Sequence, residues 1–221
     1  MKNKPLLIFR IFAVAISIFS LSYRLFLNPI HGHGFKNLIF QMGFFSMQSA
    51  LYIGIIFIFL LINQLRGKEN KWPYPSFRGA ALLYGIITGT IFGAFFAGSF
   101  NAHGLNLIVL YINHVLLTIL ILIDNFISIP PKSYKFDLLI YWMIYPFYYL
   151  VFTIFESYVL NVNRYYFMIV NEINASFYPY IIFLMALMFI LCGALIIFVN
   201  NIYRGSISNA ELDEVIQENK K

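Results

Sequence analysis

Residues 177–203 read FYPYIIFLMALMFILCGALIIFVNNIY, a stretch without one charged side chain. A helix needs about 20 residues to cross about 30 Å of hydrocarbon, so this run is long enough to span a bilayer. Working outward along the chain, five more runs pass the same test, near 5–28, 38–64, 78–100, 105–129 and 138–160. Short connections separate them and no Ser/Gly-rich linker intervenes. The sequence predicts an all-α polytopic membrane protein: a bundle of six transmembrane helices over residues 1–204, with a short tail at 205–221.

Composition agrees. Of the 221 residues, 61% are apolar and 11% charged, against about 45–50% and about 25% in a soluble domain. A soluble fold of this size would leave large apolar patches in water. Disorder is excluded by the 19% of aromatic residues, since a disordered chain has few. Met-Lys-Asn-Lys ahead of the first run imitates a signal peptide. The run is too long for one, carries Arg10 and Arg24 and lacks a small-residue cleavage site, so it reads as a retained helix.

The basic residues predict orientation. Lys2 and Lys4 precede the first run; Arg66, Lys68, Lys71 and Arg78 lie between the second and third; Lys132 and Lys135 lie between the fourth and fifth; Arg204, Lys220 and Lys221 follow the sixth. The opposite side holds only Lys36 and Arg164. The positive-inside rule then places both termini in the cytoplasm. The net charge of +6 is accounted for by topology, and no nucleic-acid partner is expected. Trp72 and Tyr74 suit a headgroup-level loop, and Ser208 to Glu211 fits a capping box opening a solvated tail helix.

The lone Cys192 excludes an intramolecular disulfide and a cysteine metal cage. His31, His33 and His103 fall in the outer loops without a carboxylate or cysteine beside them, so neither a metal site nor any other cofactor is expected. Gly85, Gly89, Gly93 and Ala97 recur at four-residue spacing on the third helix, a stripe that admits a neighbouring backbone, most simply within the same chain.

Ionisable groups inside spans are costly and face the bundle interior. Arg10 and Asp124 lie at similar depth near the inner end and form one expected ion pair; Arg24 and Glu156, near the outer end, form a second. Ser46 and His114 are a different combination. Counted from the outer ends, Ser46 falls about eight residues into the second run and His114 about nine into the fourth, which puts both about 12–14 Å deep. A serine hydroxyl becomes a nucleophile when a base takes its proton, and a buried neutral imidazole is such a base. The competing structural reading is that each simply bonds within the bundle, the serine to its own helix backbone.

Four segments in order then resemble a known family: Phe44-Phe45-Ser46-Met47-Gln48-Ser49, Asn113-His114 with Asp124 ten residues on, Tyr145-Pro146-Phe147-Tyr148-Tyr149, and Phe177-Tyr178-Pro179-Tyr180. Over about residues 5–203 the chain resembles the androgen-induced membrane protein family of AIG-like intramembrane threonine hydrolases, most closely its bacterial six-helix branch. The resemblance implies hydrolysis of fatty-acid esters of hydroxy fatty acids, with the family threonine falling on Ser46 and the family histidine on His114. The chain departs from the family pattern at Ala50, Leu117 and Thr118.

The expected function is therefore an intramembrane lipid-ester hydrolase in a bacterial cytoplasmic membrane, with membrane lipids or a lipid-like ester as partners. Gln48 and Asn113 are candidate oxyanion donors. Thr118, one turn from His114, is a candidate for a hydrogen bond near it. The alternatives are a non-enzymatic lipid-binding or scaffold protein of the same fold, and a transporter using the four ionisable residues.

Overall fold

The computed structural model describes residues 4–27, 35–67, 75–96, 102–130, 132–162, 164–165 and 178–203, and among them no strand occurs. The helices are α1 (Lys4–Ser22), α2 (Phe35–Met42), α3 (Phe45–Leu65), α4 (Pro75–Ile91), α5 (Leu105–Tyr111), α6 (Leu117–Ser128), α7 (Leu138–Val159) and α8 (Tyr178–Phe198). Wider π turns extend α1 (Tyr23–Leu27), α4 (Phe92–Phe96) and α8 (Val199–Tyr203), and a fourth (Ile112–Leu116) joins α5 to α6. Among the described residues six stretches are long and apolar enough to cross a membrane: Lys4–Phe26, Phe45–Leu65, Pro75–Ala94, Leu105–Ser128, Leu138–Val159 and Pro179–Asn201. Outside the described residues lie His31 and His33, Lys2, Lys68 and Lys71, the Trp72–Tyr74 loop, Ala97, Phe177, Arg204, and the tail with its capping box; the Lys36 side chain is likewise not described.

The helices alternate in direction. Arg10 near the start of α1 bonds Gln64 near the end of α3 and Ser128 at the end of α6. Asn200, beyond α8, bonds the backbone of Lys132 and Ser133 in the α6–α7 connection. The first described helix thus begins, and the last one ends, on the same side of the bundle.

α4 is the most enclosed span and α7 and α8 the least. α1 packs on α3, α3 on α4, and α4 on both α6 and α8. The central layer is Ile53 and Phe57 of α3, Ala81, Leu83 and Ile87 of α4, and Leu117 and Ile121 of α6, all essentially without exposed surface. The small-residue stripe works within the chain. A Cβ at Gly85 would sit 3.0 Å from the Thr118 hydroxyl, and one at Gly89 would sit 2.9 Å from the His114 carbonyl oxygen, whereas Gly93 faces open space. Because the Gly89 contact is backbone, Gly89→Ala must push α4 away from the π turn that precedes α6, at an expected cost of about 1–3 kcal/mol in a thermal or denaturant unfolding series.

Pro146 interrupts α7 and cannot donate to the carbonyl one turn earlier, that of Trp142. The Tyr84 hydroxyl of α4 donates to that carbonyl at 2.9 Å, so the break is satisfied from a neighbouring helix.

The third span begins at Pro75, earlier than the expected 78, and this corrects the reading of Arg78 as a loop charge. Its side chain is buried in α4 and bonds the Asp124 carboxylate together with the Ser128 hydroxyl. Arg10 Nε holds the other carboxylate oxygen of Asp124 at 2.9 Å, and Arg10 Nη1 donates to Gln64 at 3.1 Å. Arg10 and Asp124 are thus paired, but within a cluster of two guanidiniums around one carboxylate. Asp124 has no exposed surface.

Candidate active site

The run expected to be one helix over 38–64 is broken at Gly43–Phe44, where Phe44 is extended (φ −86°, ψ 134°) and α3 starts afresh at Phe45. Side chains from the α7 region hold the break open. The Tyr149 hydroxyl donates to the Gly43 carbonyl at 2.9 Å and accepts the Phe45 N–H at 2.9 Å. The Tyr165 hydroxyl also accepts from Phe45, at 3.2 Å. Arg164 packs where a Gly43 side chain would lie and donates to the Phe40 carbonyl at 2.7 Å, a cation at the C-terminal end of α2.

This arrangement corrects the second expected ion pair. Glu156 binds Arg164 at 2.6 and 2.9 Å, and Arg24 donates to Gln41 at 3.1 Å. Depth along two helices could not distinguish Arg24 from Arg164, because the latter reaches Glu156 only after the chain turns back beyond α7.

Ser46 therefore occupies the second position of a helix, where the helix dipole favours negative charge, although the first-turn N–H groups already have partners: Phe45 in the two tyrosines, Met47 and Gln48 in the Phe44 carbonyl. Phe45 fixes the turn. Its ring lies 5.1 Å from Tyr149, 5.7 Å from Phe189 and 5.5 Å from Tyr145, the last stacked. Tyr165 lies beside Ser46 and interacts with its backbone and side chain. Burial pushes the Tyr165 phenol above its ordinary value, partly offset by hydrogen bonds with Tyr149, Phe45 and Ser46, so it keeps its proton at neutral pH.

His114 comes from the π turn between α5 and α6. Such wide turns disturb the regular backbone ladder and often occur at functional sites. Its Nδ1 is 2.8 Å from the Leu110 carbonyl oxygen. A carbonyl only accepts, so Nδ1 carries the hydrogen, and Nε2 of the neutral ring keeps its lone pair. The ring stacks on Phe92 of the α4 extension, centroids 4.5 Å apart and planes 30° apart.

Ser46 and His114 line one cavity of about 500 Å³, bounded by the first turn of α3, by α4, by the π turn, and by α7 and α8. No hydrogen bond joins the two side chains directly. Thr88, Tyr149 and Tyr165 supply the other polar walls, and Ile87, Ile91, Met143, Leu150, Met185 and Phe189 are among the apolar ones. Ile140 and Phe147 of α7 also line it while remaining 72% and 68% exposed, so the cavity reaches the apolar outer surface of the bundle.

The other candidate residues turn elsewhere. Gln48 donates to the Met42 carbonyl at 2.6 Å and accepts from the Tyr145 hydroxyl, so both ends of its amide are used in the helix break. Asn113 accepts from Ser20 at 2.8 Å and faces Met47, which directs it toward α1 and α3. Thr118 donates to the Gly85 carbonyl at 2.9 Å, tying α6 to α4, and also reaches the His114 carbonyl at 3.4 Å, the hydrogen bond near His114 that the sequence suggests. None of the three lines the cavity, which corrects the reading of Gln48 and Asn113 as oxyanion donors. Asp124 belongs to the charge cluster, and the Leu110 carbonyl orients His114. Thr88 and Tyr165 were not singled out in the sequence. Tyr149 stood inside the Tyr145–Tyr149 segment, and a cluster of tyrosines in a span was the available signal.

Among the described residues no group of three or more His, Cys, Asp or Glu could hold a metal ion. Comparison with protein-family models, with curated proteins and with solved structures finds no match to this chain.

Proposed function

We propose that the chain is an intramembrane lipid-ester hydrolase, set in a bacterial cytoplasmic membrane with both termini in the cytoplasm. The observation that carries this reading is the shared cavity: a serine at a helix N-terminus and a histidine with an available Nε2 face one apolar space that opens to the lipid side. Fatty acyl chains enter past α7 and lie against the isoleucine and methionine walls. Ser46 Oγ attacks the ester carbonyl as its proton passes to His114 Nε2, directly once the ligand closes the gap or through one bridging water. The carbonyl oxygen becomes an oxyanion facing the N-terminal turn of α3. Collapse breaks the bond to the alcohol oxygen, which takes the proton from His114, and water then releases the acyl group from Ser46 by the same steps.

The test uses the purified full-length chain in detergent. Wild type should react with a fluorophosphonate probe and hydrolyse 4-nitrophenyl dodecanoate; Ser46→Ala should do neither while melting at the same temperature. Labelling and hydrolysis that survive in the alanine variant refute the assignment.

A further inference from the structure

Thr88 sits on α4 one turn before Phe92, the ring on which His114 stacks. It is 4% exposed, it lines the cavity, and its Oγ1 has no hydrogen-bond partner. Hydroxyls in helices ordinarily bond a carbonyl one turn back. Here Ser17 does so with Ala13 at 2.7 Å, Ser128 with Asp124 at 2.8 Å and Thr153 with Tyr149 at 3.0 Å. Thr88 does not, although the Tyr84 carbonyl stands at the same spacing. Ser49 Oγ is also without a partner but does not line the cavity. A buried hydroxyl left unbonded is costly and calls for an explanation.

We infer that the Thr88 hydroxyl is a ligand-binding group, the hydrogen-bond donor to the carbonyl oxygen of a fatty-acyl ester held between Ser46 and His114. This rests on the hydrolase reading and deepens it, by naming which wall grips the polar end of an otherwise apolar ligand. A hydroxyl both donates and accepts, so it suits a neutral carbonyl or a carboxylic acid, and the cavity offers no buried cation for a phosphate headgroup. In the reaction the same donor follows the carbonyl oxygen into the oxyanion, with no proton transferred.

The experiment places the Thr88 variants in the full-length Ser46→Ala chain, which cannot turn over, and titrates the methyl ester of pyrene-dodecanoic acid by fluorescence. Thr88→Val, equal in shape, should weaken binding about tenfold, the worth of one hydrogen bond, and Thr88→Ser should stay within about twofold of the parent. The melting temperature of Thr88→Val should hold or rise, because a hydroxyl bonded to nothing in the protein is replaced by a methyl. Equal affinity of the valine variant and its parent overturns the inference, as does a fall of several degrees in its melting temperature, which reveals an internal partner. If the valine variant does not fold, Thr88→Cys carries the same comparison with a weaker donor. Hydrolysis that persists in Ser46→Ala defeats the hydrolase reading, whereas the binding comparison still decides the role of Thr88.

Discussion

His114→Gln is expected to slow hydrolysis of 4-nitrophenyl dodecanoate by about 10²- to 10⁴-fold, the usual contribution of a positioned general base. The loss should fall on kcat with KM nearly unchanged, because the imidazole acts on the proton of Ser46 and does not grip the acyl chain. Fluorophosphonate labelling should slow in parallel, since it too requires an activated serine. Glutamine can still place an amide N–H near the Leu110 carbonyl, so the π turn keeps a donor for that carbonyl and circular dichroism should show an unchanged helix content. A variant that hydrolyses the ester at the wild-type rate would remove His114 from the mechanism, and the cavity would then be read as a binding site alone.

Asp124→Ala is the larger structural perturbation. Its carboxylate has no exposed surface and stands between Arg10, at 2.9 Å, and Arg78. Among the described residues it is the acid that both guanidiniums contact. Removing it leaves two buried cations facing each other, and breaking a buried pair in this way costs about 3–5 kcal/mol. Gln64 and Ser128 still accept hydrogen bonds from the arginines, but they carry no charge. Asp124→Asn should recover part of the loss by restoring a carbonyl oxygen. Replacing Arg10, Arg78 and Asp124 together with apolar residues of similar volume should cost less than Asp124→Ala alone, because no charge is then left buried. Unfolding in mixed micelles followed by tryptophan fluorescence would rank the three. A single Asp124→Ala as stable as wild type would show that water or another anion already neutralises the cluster.

The spans could be read from the sequence because length and uninterrupted apolar composition are local properties. Arg10 with Asp124 was legible for a related reason: helix rise alone brings the two to one depth. The remaining features depend on approach between distant segments. Nothing in residues 38–64 announces the break at Gly43, because it is held by Tyr149, Tyr165 and Arg164, more than a hundred residues away. The break moves Ser46 from about eight residues inside a helix to its first turn, so the link to His114 that the structure supplies is the common cavity. Arg78 was assigned to a loop because a charge beside a turn ordinarily faces water. Thr88 carried no signal at all, since a threonine between glycines on a packing stripe is unremarkable until its hydroxyl is seen to lack a partner.

The charge cluster also bears on how the chain is assembled. Arg10 emerges from the ribosome 114 residues before Asp124, and Arg78 emerges 46 residues before it. Through that interval each cation is in a helix whose acid partner, the one seen among the described residues, has yet to be made. Long arginine side chains relieve such a situation by reaching for the headgroup layer, which tethers α1 and α4 near the membrane surface. Entry of α6 then supplies the carboxylate and draws both inward. The most enclosed helix of the finished bundle is in this sense held back until the fourth span arrives, and the cavity against which it packs closes later still, once α7 and α8 supply their walls.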